Sequence, residues 1–369
     1  MSIKFLHCAD IHLGTKSEFG GTEVRRYIAE SFQRLVGLAI DEGTDLFIVA
    51  GDLFDSPRIS PATSNLVDRA LSDLTSAGVR VVLLPGTHDA YDSSSPYHQL
   101  KLPENTYIIT PQNPSFLFDD LPGGVFVCGR AQTKTKSNEN ALEGLSSNPQ
   151  AALNIAVAHG SVVGQVTEDA MLIHTEDIAR SGFDYIALGH WHSYRQMNDR
   201  PPAIYPGALE PTRRDHHDTG WAVVGEFSLE NKKLTYRKER VGRLRMESLP
   251  IHIEPLTKPE EIYSQISELA NPDLILYVEL AGAPGADFSL NKDELIEERS
   301  PQFFHLDVDD NINPPEEFSP TDFGERTTAG VFARLVAERM DEASDDKERA
   351  LLGEILREGL SRLGKGGGE

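Results

Sequence analysis

Five short stretches of the chain share one form, an apolar run that ends in a polar cluster carrying histidine or carboxylate. They are Asp10-Ile11-His12, Gly51-Asp52, Pro85-Gly86-Thr87-His88-Asp89, His159-Gly160 and Gly189-His190-Trp191-His192. In Asp10-x-His12 and His190-x-His192 the spacing of two turns both side chains of a pair the same way on an extended strand end, with Cα atoms ~6.6 to 6.8 Å apart. Each pair can therefore grip one ion, and the carboxylate of Asp52 can bridge two. A mixed Asp and His set suits Mn, Fe or Zn ahead of Mg or Ca, which favour all-oxygen shells. Charge points to a phosphate substrate: two divalent ions outweigh the carboxylates of Asp10 and Asp52, and the surplus can hold a hydroxide and one phosphodiester charge. Two ions ~3.5 to 4 Å apart can both generate the nucleophile and clamp the phosphate.

Such clusters need rigid elements behind them. Residues 3–8 read as a first strand, followed by a helix from about Val24 to Glu42 with Thr22 as its N-cap and Gly43 closing it. Leu46 to Ala50 is the next strand. Ser60-Pro61, a capping residue followed by proline at the first helical position, opens a helix to Ala77. The run Val79 to Leu84 then stops at Pro85-Gly86 and throws His88 and Asp89 into a loop, where catalytic residues concentrate. This alternation of strand and helix argues for an α/β core with its ligands at strand ends. Tyr107 to Ile109 and Val125 to Cys128 read as shorter strands around a Pro-rich stretch, 111–122, and residues 132–150 read as a mobile loop. Leu153 to Ala158 delivers His159, and Tyr185 to Leu188 delivers His190 and His192. Trp221 to Phe227 and Leu234 to Arg240 form a closing hairpin.

At 369 residues with 39% hydrophobic content, the chain can bury a large core. The net charge of -23 is uneven, -6 over residues 1–245 and -17 over 246–369. A protein this acidic has no general electrostatic pull on nucleic acid or anionic membrane, so a polyanion has to be held locally, by metals or a basic patch. The two cysteines, Cys8 and Cys128, are too few for a disulfide framework. The start of the chain lacks a signal-peptide pattern, and no apolar run nears the ~18 residues needed to span a bilayer. A cytoplasmic protein without a membrane partner is expected.

Taken in order, Asp-x-His, Gly-Asp-Leu-Phe-Asp, Gly-Thr-His-Asp, Ala-His-Gly and Gly-His-Trp-His resemble the five motifs of the calcineurin-like metallophosphoesterases. More narrowly, His7-Cys8-Ala9-Asp10-Ile11-His12-Leu13-Gly14 and Tyr205-Pro206-Gly207 resemble the DNA-repair exonuclease branch, the SbcD and YhaO type. The resemblance covers about residues 3–210. It implies an α/β fold, a β-sandwich flanked by helices with a small α+β capping domain and C-terminal helices. Carried over residue by residue, it implies that Asp10, His12, Asp52 and His192 hold the first metal and that Asp52, His159 and His190 hold the second. His88 would be a non-ligand histidine that protonates the leaving oxygen, oriented by Asp89. The family's usual asparagine, a ligand of the second metal, is Thr87 here. Its hydroxyl falls roughly 1.5 Å short, against a tolerance of about 0.2 Å, so a water or a shift of the loop is expected to fill the gap.

The sequence thus divides into a metallophosphoesterase (nuclease) domain over 1–245, a capping domain over 246–308 and a linker over 309–326. A helical segment over 327–363 and a tail over 364–369 complete it. The capping domain carries strands at Leu249 to Ile253 and Leu274 to Leu280 around a helix, Pro259 to Leu269. In the helical segment Phe332, Leu335, Val336 and Met340 share one face, and Leu352, Ile355, Leu356, Leu360 and Leu363 share another, behind a Ser344 cap. The expectation is a two-metal-dependent phosphodiesterase, with Mn the first choice and Fe or Zn the others, acting on DNA ends with an SbcC-like coiled-coil ATPase docked on those helices. Two alternatives stay open: a stand-alone phosphodiesterase or phosphatase for a small nucleotide, and a non-catalytic scaffold of the same fold. A homodimer also stays open, as does packing of the C-terminal helix faces on the protein's own body, which periodicity alone favours equally with docking on a partner. His216 and His217, beside Arg213 and Arg214, read first as ordinary histidines, with substrate contact the lesser alternative. The basic run Lys232 to Arg245 reads as a solvated face or a phosphate track.

Overall fold

Apolar runs too short for helices become the central strands of the first of two units, Met1–Met246. β1 (Ser2–Cys8), β2 (Leu46–Ala50) and β3 (Arg80–Leu84) are buried nearly throughout, as parallel strands covered on both faces are. They run parallel in register, Leu6 opposite Phe47 and Phe47 opposite Val81, and β4 (Thr106–Ile108) extends the row. Parallel neighbours need crossovers, which α1 (Gly21–Asp41) and α2 (Pro61–Ser76) supply. Ser60 caps α2 as its sequence predicts, its hydroxyl accepting the Thr63 N–H at 3.1 Å. Thr22 does not cap α1: the helix starts at Gly21, so Thr22 lies inside it, and Gly20 at the N-cap offers no side-chain bond.

The second half of this unit adds β5 (Ser115–Phe118), β6 (Val125–Gly129), β7 (Leu153–His159), β8 (Ser161–Val162), β9 (Leu172–Ile173) and α3 (Thr175–Arg180). These lead into β10 (Tyr185–Gly189), β11 (Arg195–Asp199), β12 (Pro202–Tyr205), β13 (Trp221–Ser228) and β14 (Lys233–Arg240). Two six-stranded sheets result, in the orders β14-β13-β1-β2-β3-β4 and β11-β12-β10-β7-β6-β5. One apolar cluster joins their facing sides, Ile3, Phe5, Ile48 and Val82 from the first sheet with Val127, Ile155, Val157 and Ala187 from the second. Phe5 and Tyr185 meet across it at 4.8 Å between ring centroids. Each such buried aromatic contributes roughly 1.5 to 3 kcal/mol. The other face of the second sheet packs Ala156 and Ile186 against Met171, Ile173 and Ile178. The fold is therefore a mixed α/β sandwich flanked by helices.

Two sequence expectations for this unit change. The Pro-rich stretch 111–122 contains β5, an edge strand on which Ser115 and Leu117 are exposed and Phe118 is buried. Residues 132–150 form no helix or strand, yet they are tied down. Ala141 and Leu142 are buried in the second cluster, and the Ala141 N–H donates to the Leu172 carbonyl at 2.8 Å.

The computed structural model describes residues 1–162, 170–254, 258–282, 288, 290–312, 327–341 and 343, with 351–352, 355–356, 359–360 and 363. In the second unit, Glu247–Glu369, β15 (Arg245–Ile253), which begins just before the division, pairs in the order β15-β16-β17 with β16 (Asn271–Gly282) and β17 (Phe303–Ile312). α4 (Pro259–Glu268) and α5 (Lys292–Arg299) cover this sheet through Ile262, Ile266 and Leu295. The expected linker over 309–326 is overturned at its start: residues 309–312 belong to β17, with Asp309 opposite Glu279. Residues 313–326, the Ser344 cap and the tail 364–369 lie outside the described residues. α6 (Thr328–Asp341) packs Ala329, Phe332 and Ala333 against Leu356, Leu360 and Leu363, so the two helical patterns meet each other. Leu335 and Ile355, expected on those same faces, are exposed together with Val331 and Leu351. Among the described residues no helix is long and apolar enough to cross a membrane.

Candidate metal centre

The carboxyl ends of β1 and β2 in one sheet and of β7 and β10 in the other bring Asp10, His12, Asp52, His159, His190 and His192 together. The chain takes the left-handed conformation at four of them, with φ of 51° at Asp10, 49° at His12, 51° at Asp52 and 103° at His190. Each such residue costs on the order of 1 to 3 kcal/mol and persists only where its surroundings hold it. Here they do. The Asp10 N–H donates to the Gly51 carbonyl at 3.1 Å and the His12 N–H to the Asp52 carbonyl at 3.0 Å. The His190 N–H donates to the Asp10 carboxylate at 2.9 Å. Gly51, at φ 95°, and Gly189 leave room for the His159 ring, since a Cβ on either would crowd its Nδ1. A Cβ on Gly86 would overlap Asp52 Oδ1.

Among the described residues potential ligand atoms gather within 4.8 Å in three sets, one of His12, Asp55 and His88 and two that share Asp10 at the strand ends: Asp10, His12 and His192, and Asp10, Asp52 and His159. Asp52 Oδ2 lies 3.2 Å from His159 Nε2 and 3.8 Å from His12 Nε2, so one oxygen faces both sets. The Nε2 atoms of His12 and His192 are 3.1 Å apart. His190 lies beside His159, their rings edge-on at 5.3 Å. The far nitrogens of His159 and His192 have polar partners, and that of His12 faces a carboxylate. His159 Nδ1 donates to the Ala50 carbonyl at 2.9 Å, His12 Nδ1 lies 3.5 Å from the Asp55 carboxylate, and His192 Nδ1 is 2.7 Å from His216 Nε2.

Charge fits the same purpose. Burial, with the neighbouring Asp52 adding to it, pushes the Asp10 carboxyl up to about 6. Burial would also raise Asp52, but His159 outweighs it and holds that carboxyl well below the usual range. Against its own burial, His159 is raised to about 9 by the charge and hydrogen bond of Asp52. His190 is lowered to about 4 and His192 well below its ordinary value, by burial first and then by the neighbouring histidines. Two buried carboxylates and the uncharged rings of His190 and His192 gather around His159, whose Nε2 lies 3.2 Å from Asp52 Oδ2. Such groups call for cations, and the donor set of nitrogen and carboxylate oxygen fits a pair of divalent transition-metal ions.

The loop after β3 departs from expectation in two places. The Thr87 hydroxyl donates to Asp52 Oδ2 at 3.0 Å, and the His88 N–H donates to Asp52 Oδ1 at 2.8 Å. Thr87 thus steadies the carboxylate that faces both sets. Asp89 does not orient His88. It is fully buried and accepts from the Gly86 N–H at 2.7 Å, the Phe54 N–H at 3.1 Å and the Tyr97 hydroxyl at 2.8 Å, which pins the loop from within. His88, exposed, instead puts Nδ1 3.0 Å from the Asp55 carbonyl and sits edge-on to His12 at 4.8 Å. A cavity of ≈470 Å³ beside the centre is lined by Asp55, Ser56, Thr87, His88, Lys136 and His190, among others. Lys136 comes from the stretch read only as a loop. Asp55 is the last residue of Gly-Asp-Leu-Phe-Asp, a position to which the motif alone assigns no role.

The clustered aspartates and histidines at the meeting ends of the two sheets fit a metallophosphoesterase. The family of calcineurin-like phosphoesterases matches residues 3–194, and the chain belongs to it. It is 24% identical over 281 residues to the uncharacterized metallophosphoesterase YhaO of Bacillus subtilis (strain 168), covering 72% of this chain and 67% of that one. It is also similar to the DNA double-strand break repair protein Mre11 of two archaea. For Aeropyrum pernix the identity is 29% over 232 residues, 58% of this chain and 56% of that one. For Saccharolobus solfataricus it is 29% over 231 residues, 61% and 58%. The chain thus spans less than three fifths of the length of these Mre11 proteins.

Proposed function

We propose that this protein is a two-metal-dependent phosphodiesterase that cuts DNA ends in repair, in concert with a coiled-coil ATPase of the SbcC kind. The observation that carries the reading is the placement of Asp52 Oδ2 between two ligand sets, with His88 standing beside them at an open cavity. Asp10, His12, Asp52 and His192 would hold one ion and Asp52, His159 and His190 the other. Thr87 supports Asp52 and is not itself a ligand. When bound, the ions would activate water and clamp the phosphate. His88 would supply the proton for the leaving oxygen. As imidazolium it gives Nδ1–H to the Asp55 carbonyl and offers Nε2–H to the substrate. The Mre11 relatives support DNA as substrate, and the exposed Val331, Leu335, Leu351 and Ile355 suit docking of a partner helix.

A second reading, a stand-alone phosphodiesterase or phosphatase for a small nucleotide, is favoured by the net charge of -23, which repels a long polyanion. Mn-dependent hydrolysis of duplex DNA and of a small phosphodiester, each with and without a coiled-coil ATPase, separates the two. DNA cleavage that the ATPase enhances supports the first reading. Hydrolysis of the small substrate alone supports the second, and no hydrolysis of either would leave a scaffold.

A further inference from the structure

The basic run Lys232 to Arg245 divides between the two faces of β14, an edge strand of the first sheet. On one face the charge of Arg237 is met by Glu239 at 2.6 Å and by Glu42 at 2.8 Å. Lys238 and Arg240 alternate onto the other face, that of Leu234 and Tyr236, which pack on the core between the sheets. There the Lys238 ammonium lies 4.1 Å from the centre of the Trp221 ring and 4.5 Å from that of Tyr194. The Arg240 guanidinium lies 5.2 Å from Trp221. We infer that Lys238 and Arg240, set against these rings, form a subsite for a backbone phosphate of the DNA strand that reaches the metal centre. This rests on the DNA reading of the proposed function.

Position ties the subsite to the centre. Tyr194 follows His192 by two residues, so their Cα atoms are at most ~7 Å apart. β13 runs antiparallel to β1 with Val223 opposite His7, and Trp221, two residues further on, stands level with Ala9, next to Asp10. Asp218, left-handed at φ 45°, fastens both rings: its carbonyl accepts the Tyr194 N–H at 3.0 Å and its carboxylate the Trp221 Nε1–H at 2.7 Å. Rings within about 6 Å attract a cation and order it without neutralising it. Arg240 is further fixed by the carbonyls of Thr219 at 3.3 Å and Leu244 at 2.6 Å, which leave its charge intact. The opposing group is the Asp218 carboxylate, 3.4 Å from Lys238. Two cations against one carboxylate leave a positive surplus, and the Lys238 side chain is 37% exposed. A small phosphodiester has its one phosphate at the ions and none left for this place. A strand of DNA brings the neighbouring one.

The test is binding of a phosphorothioate oligothymidylate, which resists hydrolysis, to the full chain with Mn²⁺ over a series of salt concentrations. Each phosphate contact to a single strand contributes about 0.7 to the slope of log K against log salt. Lys238→Gln combined with Arg240→Gln should weaken binding and flatten that slope by about 1.4. Arg237→Gln, which removes a charge from the other face of the same strand, should leave the slope unchanged. An unaltered slope in the double variant, or an equal loss per charge in Arg237→Gln, overturns the inference. Should the double variant not fold, Lys238→Gln alone decides: the slope should flatten by about 0.7, and an unchanged slope refutes the subsite. Wild type that hydrolyses a small phosphodiester but binds no oligonucleotide overturns the DNA reading itself, a distinguishable result.

Discussion

At the scale of single residues, His88 and Asp52 should fail in opposite ways. The His88 ring is exposed beside the ligands, held through Nδ1 by a backbone carbonyl. His88→Ala should therefore keep Mn²⁺ affinity and lower turnover by ~10²-fold or more, the usual scale for a positioned acid. Asp52→Ala removes the oxygen that faces both ligand sets and should cost metal binding itself. Paired calorimetry and single-turnover assays check both, and loss of metal in His88→Ala would contradict its role. Affinity should also climb with pH. Ligands must be deprotonated to bind, and without metal Asp10 titrates at about 6 and His159 at about 9. Binding therefore releases protons, and the Mn²⁺ affinity should rise through pH 6 and keep rising toward pH 9; a flat profile over that range would contradict the assignment. The metal-free fold has the opposite dependence on His159. Its raised pKa stabilises the fold fully below the unfolded value near 6.5, and that contribution is lost as pH rises through about 9.

Strand ends explain how much of this was legible. Asp10, Asp52, His159, His190 and His192 stand immediately after short apolar runs, and each such run is a strand of one of the two sheets. The strand-ending pattern therefore carries their placement directly. Asp89 illustrates what it does not carry. Adjacent loop residues point different ways, and only the fold puts Phe54 and Tyr97 within reach of that carboxylate. β5 is short and alternates weakly at a sheet edge, and α5, KDELIEER, buries only Leu295, so neither has the apolar stripe that periodicity detects. At this scale Gly51 is the sharpest test. Gly51→Ala would have to hold an L-residue at φ 95° and push a methyl into His159 Nδ1. It should lower the melting temperature and weaken metal binding together; a variant that keeps both intact would mean the β2 end can shift freely.

Across the whole molecule, the division after Met246 separates the metal-centre unit from an acidic one in which α6 and the described residues around Leu360 pack as a pair. The pair buries Ala333 and Leu360 against each other and leaves Val331, Leu335, Leu351 and Ile355 exposed, which a partner helix could cover. Deleting 321–369 should abolish co-purification with a coiled-coil ATPase while sparing hydrolysis of a small phosphodiester. Aggregation or a large fall in melting temperature on deletion would instead place the helices in the protein's own core. Everything above depends on two ions bound at the strand ends. Anomalous diffraction from Mn²⁺-soaked crystals tests that most directly. Two peaks ~3.5 to 4 Å apart, with Asp52 between them and His192 and His159 on their outer sides, are the expected result. A map with no peak among these residues, or with a lone peak that Asp52 does not touch, would contradict the two-metal centre.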